Sequence, residues 1–147
     1  MARFVFSLEG VLKQRRHLEQ DRQRALAEVQ QEMVRLENEV RQINQWILQA
    51  MEELRRNRLV GPIDVSFLAG QRRHIESMRR RGTIVVQKMA LVNRRLEEAR
   101  ASLLEAAKAR KSIEKLREKQ LERWQAEQRR KEDAQADEIG TQLAYRR

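Results

Sequence analysis

From Leu26 to Leu54 the apolar residues recur in alternating steps of three and four without a miss. Leu26, Met33, Val40, Ile47 and Leu54 occupy heptad position a, and Val29, Leu36, Ile43 and Ala50 occupy d. Glu, Gln, Arg and Asn fill most of the remaining positions, so the rest of this helix surface is solvated. A stripe this narrow does not suit a globular core, where a helix buries a wider face. It calls for a single partner helix.

Composition narrows the choice of partner and of chemistry. Charged residues make up 37% of the chain, aromatics 4%, and there is one proline, which favours long helices that bury a seam over a layered globule. The absence of cysteine excludes disulfides and thiolate metal sites and permits a reducing compartment. No apolar run approaches the ~18 residues of a membrane span, and Met1 to Leu12 does not read as a signal peptide. The expected location is therefore the cytoplasm. A net charge of +10 points to an acidic partner, a nucleic acid or an anionic membrane surface.

Read in order, the chain predicts one coiled-coil domain over residues 1–147. Helix one runs from about 7 to 58, a turn covers 59–65, helix two runs from about 66 to 136, and a frayed tail covers 137–147. Ser7 is the expected cap of the first helix, and Asp64 or Ser66 that of the second. Val60-Gly61-Pro62 is the break, since Pro62 lacks the donor that a continuing helix needs. The second helix repeats the seam through Ile75, Met78, Val85, Met89, Val92, Leu96, Ala99, Leu103 and Ala106, with Gly82 at one a position.

Two long heptad helices with a short break predict an all-α fold, a long antiparallel two-helix coiled-coil hairpin. Placing Ile47 opposite Met78 makes the numbers of facing residues add to about 125, and the other rungs follow. Val40 meets Val85, Met33 meets Val92, Val29 meets Leu96, and Ala50 meets Ile75. Ile43 faces Gly82, a thin spot that Trp46 is positioned to cover. Toward the termini Arg15 faces Arg110 and Arg22 faces Leu103, so these guanidinium groups are expected to turn outward and loosen that end. At ~1.5 Å per residue the helices imply a rod of roughly 75 to 100 Å, monomeric when alone.

No catalytic residue, metal site or cofactor is expected. The sequence has no Gly-rich phosphate loop, no zinc-ligand spacing and no nucleophile beside a base, and its two histidines, His17 and His74, lie far apart. The basic runs Arg79-Arg80-Arg81 and Arg129-Arg130-Lys131 offer a phosphate-binding strip, but a solvated helix face interleaved with Glu accounts for them better. No nucleic-acid partner is expected. Around the turn Trp46, Met51, Phe67 and Leu68 are apolar residues outside or beside the seam, followed by His74, Ile75 and Met78. Anchors of this kind suit a protein-docking surface.

Three stretches carry a family resemblance. They are Phe4-x-Phe6-x-Leu8-x-x-Val11-Leu12-x-x-Arg15, the segment Ala106-Ala107-Lys108-Ala109-Arg110-Lys111-Ser112-Ile113-Glu114-Lys115-Leu116-Arg117-Glu118-Lys119, and Asp137-Glu138-Ile139. Together they resemble the flagellar export protein FliJ family, stalk components of the type III export ATPase, similar to the coiled-coil stalk of rotary ATPases. The resemblance implies that the end bearing both termini enters the pore of a hexameric export ATPase, where Arg15, Arg16, Arg110, Lys111, Arg117 and Lys119 would lie. It implies that Trp46, Met51, Leu68, His74, Ile75 and Met78 face the cytoplasmic domain of the export-gate membrane protein. Export chaperones are further implied partners, with peripheral attachment to the cell membrane through these contacts. His74 and Gly82 depart from the bulkier apolar residues expected at those places. The alternatives are the stalk of a virulence-type secretion system and, in another class, a basic nucleic-acid-binding or structural coiled coil.

Overall fold

A computed structural model describes residues 3–59 and 61–145, and these form two helices, α1 over Glu9–Leu59 and α2 over Val65–Tyr145. The two pack against each other as an all-α helical hairpin, without strands among the described residues. No described helix is long and apolar enough to cross a membrane.

The helix ends follow from local chemistry. Asp64 caps α2: its Oδ1 accepts the Phe67 amide at 3.1 Å, and its carbonyl accepts the Leu68 amide at 3.1 Å. At the start of α1 the expected cap, Ser7, lies one residue too early. The Leu8 carbonyl accepts the Leu12 amide at 2.9 Å, which makes Leu8 the flanking residue and places Ser7 in the preceding turn. Between the helices Gly61 adopts φ 85°, a left-handed conformation that side chains resist, and Pro62 follows it. Val60, the first residue of the expected break, lies outside the described residues.

The segment from residue 137 onward, expected to fray, is helical as far as Tyr145; 146 and 147 lie outside the described residues. Ala134, Gln135, Ala136 and Glu138 are good helix formers, and the one unfavourable residue, Gly140, costs only about 1 kcal/mol. Thr141 Oγ1 donates to the Asp137 carbonyl at 2.7 Å, so its hydroxyl is satisfied within the helix. Every described residue from Arg129 to Tyr145 is exposed.

Contacts divide the chain into two compact units, each built from parts of both helices. The turn unit covers Arg22–Ser102; the terminal unit joins Met1–Asp21 to Leu103–Arg147.

In the turn unit the heptad seam is the core. Val29, Val92 and Leu96 form a buried cluster, with Leu26, Met33 and Leu36 half-buried against it. Ile43, Ala50, Ile75 and Val85 extend the buried line. On α1 the buried residues are d positions, while the a residues stay partly exposed. Stability is therefore spread thinly along the seam. Ile43 is 1% exposed, because Gly82 lets its side chain seat against α2. A Cβ built at Gly82 would stand 3.6 Å from Ile43 Cγ2. The expected thin spot is thus filled by Ile43 itself; Trp46 lies instead beside Arg81, whose guanidinium sits 5.8 Å from the centre of the indole ring.

The two flanks of this seam differ. At the g positions α1 carries Glu32, Glu39 and Glu53, and α2 carries Arg81 and Arg95. Glu32 pairs with Arg95 at 2.8 Å and Glu39 with Arg81 at 3.1 Å, while Glu53 accepts from Gln71 at 2.7 Å. Exposed pairs of this kind contribute ~0–1 kcal/mol each, so their main effect is to favour one orientation and register.

The terminal unit has fewer apolar rungs. Leu12 is fully buried, and Phe6 and Ala106 nearly so. The non-helical residues before α1 contribute: Phe4 packs on Trp124 with ring centroids 5.9 Å apart and planes tilted by 58°. The expectation that the arginines here turn outward fails for Arg110. Its side chain is 21% exposed and reaches one turn along α1, past Arg15 to Glu19. An opposite charge within reach of a long side chain outweighs the nominal rung opposite it. Arg15 and Arg22 are exposed.

Candidate partner-binding surfaces

The terminal unit holds the six basic residues implicated above at three levels of engagement. Arg110 Nε and one terminal nitrogen both donate to the Glu19 carboxylate, the latter at 3.4 Å, and its other terminal nitrogen donates to Glu114 at 2.6 Å. These contacts, the Glu19 hydrogen bond foremost, raise the Arg110 pKa above its ordinary value, against a smaller opposing effect of burial. Arg117 pairs with Glu9 at 3.2 Å, and Arg16 makes a long contact to Glu114 at 3.5 Å. Arg15, Lys111 and Lys119 are exposed and make no ion pair among the described residues. Arg110 and Arg117 therefore serve the internal pairing of α1 with α2. The exposed cations left for a partner are Arg15, Lys111 and Lys119, with Arg16 half committed.

The carboxylates that hold these arginines were not singled out from the sequence. A signal was present: Glu19 sits at a, the position of the missing apolar rung, and Glu114 lies four residues after Arg110. An acid at a in one helix and a base at a in the other mark a polar layer.

In the turn unit the residues expected to meet a second partner divide. Trp46, His74 and Met78 come together with Ala50, Glu53 and Arg81 around an open groove of about 590 Å³ on the g flank. Trp46 and Arg81 form one wall, and the Glu53–Gln71 hydrogen bond bounds the groove toward the turn. Ile75 is 6% exposed and belongs to the core, so it offers a partner little surface. Met51 is exposed but sits at e, on the opposite flank from Trp46 at g. Leu68 is half-buried near the start of α2 and is not a wall of this groove. Arg81 and Glu53 were missed as groove residues, although the heptad frame places both at g alongside Trp46 and His74.

Taken together these surfaces offer charge and apolar anchoring. Among the described residues no three His, Asp or Glu side chains converge as metal ligands would.

Comparisons with known proteins agree with the resemblance in the sequence. The model of one family, described as flagellar FliJ protein, matches residues 4–147. The curated proteins and the solved structures returned no match. The match spans both units, from the Phe4–Trp124 contact to the far end of α2. The chain therefore belongs to the FliJ family of flagellar proteins, non-catalytic components whose role is associated with flagellar protein export.

Proposed function

We propose that this chain is a cytoplasmic stalk of the flagellar export apparatus that bridges a hexameric export ATPase and the cytoplasmic domain of the export-gate membrane protein. The family match over residues 4–147 carries this reading, and its flagellar description favours a flagellar over a virulence-type system. In this reading the terminal unit meets the ATPase through Arg15, Lys111 and Lys119, whose charges are not consumed by internal pairs among the described residues. The groove with Trp46, His74 and Met78 meets the gate, since an indole and a thioether beside a few polar groups are suited to anchoring a protein partner. Membrane association is peripheral and runs through the gate. Binding of export chaperones belongs to the same role, and its site is not assigned to particular residues.

The test is stimulation of the cognate export ATPase by the purified chain. Lys111→Glu combined with Lys119→Glu is expected to reduce stimulation several-fold while the circular dichroism stays helical. Arg110→Glu and Arg117→Glu are poorer probes, because they would set a new carboxylate beside Glu19, Glu114 or Glu9 and disturb the helix pair itself. Undiminished stimulation by the double lysine variant would remove this surface from the ATPase contact. For the gate, Trp46→Ala is expected to weaken capture of the gate's cytoplasmic domain, and unchanged capture would exclude the groove.

A further inference from the structure

The flank opposite the ion-paired one is built differently. Its e positions hold Gln30, Glu37, Asn44 and Met51 on α1 and Arg72, Arg79, Val86, Asn93 and Arg100 on α2. Within the turn unit no ion pair joins the helices on this side among the described residues; the pair on this flank, Arg16–Glu114, belongs to the terminal unit. Beside Gly82, where Ile43 seats against α2, an open groove of about 510 Å³ lies between Val40, Ile43 and Ile47 on one helix and Met78, Arg79 and Val86 on the other. Val86 is 54% exposed and Met51 39% exposed, so apolar surface continues from the seam onto the flank. Apolar residues at e beside those at a and d widen the stripe from what one partner helix covers toward what two cover.

We propose that this e-flank groove binds an acidic amphipathic helix of a partner protein, its apolar side chains entering beside Gly82 and its carboxylates meeting the arginines of the rim. A groove between two helix ridges runs along them, and its volume accommodates about two or three anchor side chains of a third helix. Charge selects the occupant. Arg79 is the only charged residue of the groove wall and makes no ion pair among the described residues. Arg72 and Arg100 lie at e on the same flank one and three heptads away; in the turn unit Glu37 is the one acid at the e positions named above, and Glu76 and Glu97 stand at the adjoining b positions of α2. A second copy of this chain, itself carrying +10, would bring like charge to that rim. The groove is distinct from the one containing Trp46 and His74, although Met78 reaches both.

The experiment uses the full chain and two fluorescein-labelled helical peptides with the same leucine seam, one with glutamate and one with lysine at all other heptad positions. Anisotropy is expected to show binding of the glutamate peptide, with the lysine peptide at least tenfold weaker. Val86→Glu and Arg79→Glu are each expected to weaken the glutamate peptide at least tenfold, whereas Leu91→Glu, at an exposed site on another face, leaves it unchanged. Circular dichroism confirms that each variant is folded. Absence of binding, equal affinity for the two peptides, or loss on Trp46→Ala without loss on Val86→Glu would overturn the proposal. Sedimentation of the chain alone distinguishes the other occupant: self-association abolished by Val86→Glu would assign the groove to a second copy and overturn it as well.

Discussion

Replacing Gly82 by alanine is expected to stabilise the protein, although glycine is what admits Ile43 to the seam. Two quantities set the sign. A glycine inside a helix is about 0.8–1.0 kcal/mol less favourable than alanine. The added methyl would stand 3.6 Å from Ile43 Cγ2, ordinary van der Waals contact that calls for no displacement. The gain is therefore about 1 kcal/mol, with a few tenths more from the new contact. Gly70→Ala is the internal control, because a Cβ there meets nothing within 4 Å and reports helix propensity alone. Gly82→Leu inserts volume where Ile43 already sits and should cost about 1–3 kcal/mol. Urea unfolding followed by far-ultraviolet circular dichroism reads all three as midpoint shifts at constant slope. The reasoning is refuted if Gly82→Ala destabilises, or if it falls short of Gly70→Ala by more than about 0.5 kcal/mol.

Other consequences concern the terminal unit. Leu12→Ala, at a fully buried position, should cost about 2–5 kcal/mol and show first as loss of structure in this unit, measured by hydrogen exchange. Glu19→Leu should destabilise by leaving Arg110 with only one of its two carboxylates, whereas Glu19→Leu with Arg110→Leu should recover or exceed the original stability; a double variant weaker than the single one would contradict the polar-layer reading. Because the folded-state pKa of Arg110 is raised, its contribution is complete below the ordinary guanidinium value and lost only as pH rises through the raised one. Arg110→Lys should accordingly leave the shape of the stability profile between pH 5 and 9 unchanged. With Trp46→Phe as background, Phe4→Ala should shift Trp124 emission to the red by exposing the ring that Phe4 covers, and an unmoved spectrum would dissolve that contact.

Much of the fold was legible in the sequence because its main interaction is periodic. Val29, Val92 and Leu96 form a cluster that the frame and register name without reference to coordinates. The same frame contains the g-flank pairs Glu32–Arg95 and Glu39–Arg81, since opposite charges there lie side by side. What it could not supply was reach. A rung-by-rung alignment sets Arg110 against Arg15, but a flexible arginine samples a full turn and takes the carboxylate of Glu19. Phe4 and Phe6 lie before the first helix, where heptad logic has no say, so the packing of Phe4 on Trp124 and the burial of Phe6 were not anticipated. The candidate surfaces were half legible for a related reason. Proximity in sequence gathered Met51 with Trp46, whereas the helix turn between them sends the two to opposite flanks.

The central claim is that the two seams mate with each other inside one chain, in the register that puts Val29 beside Leu96. The absence of native cysteine makes this directly measurable. Val29→Cys with Leu96→Cys, oxidised at high dilution, should give an intramolecular disulfide and a product of monomer mass, formed with Val92 left in place beside it. A covalent dimer, or no cross-link in a folded protein, would mean that the seam has another partner or another register.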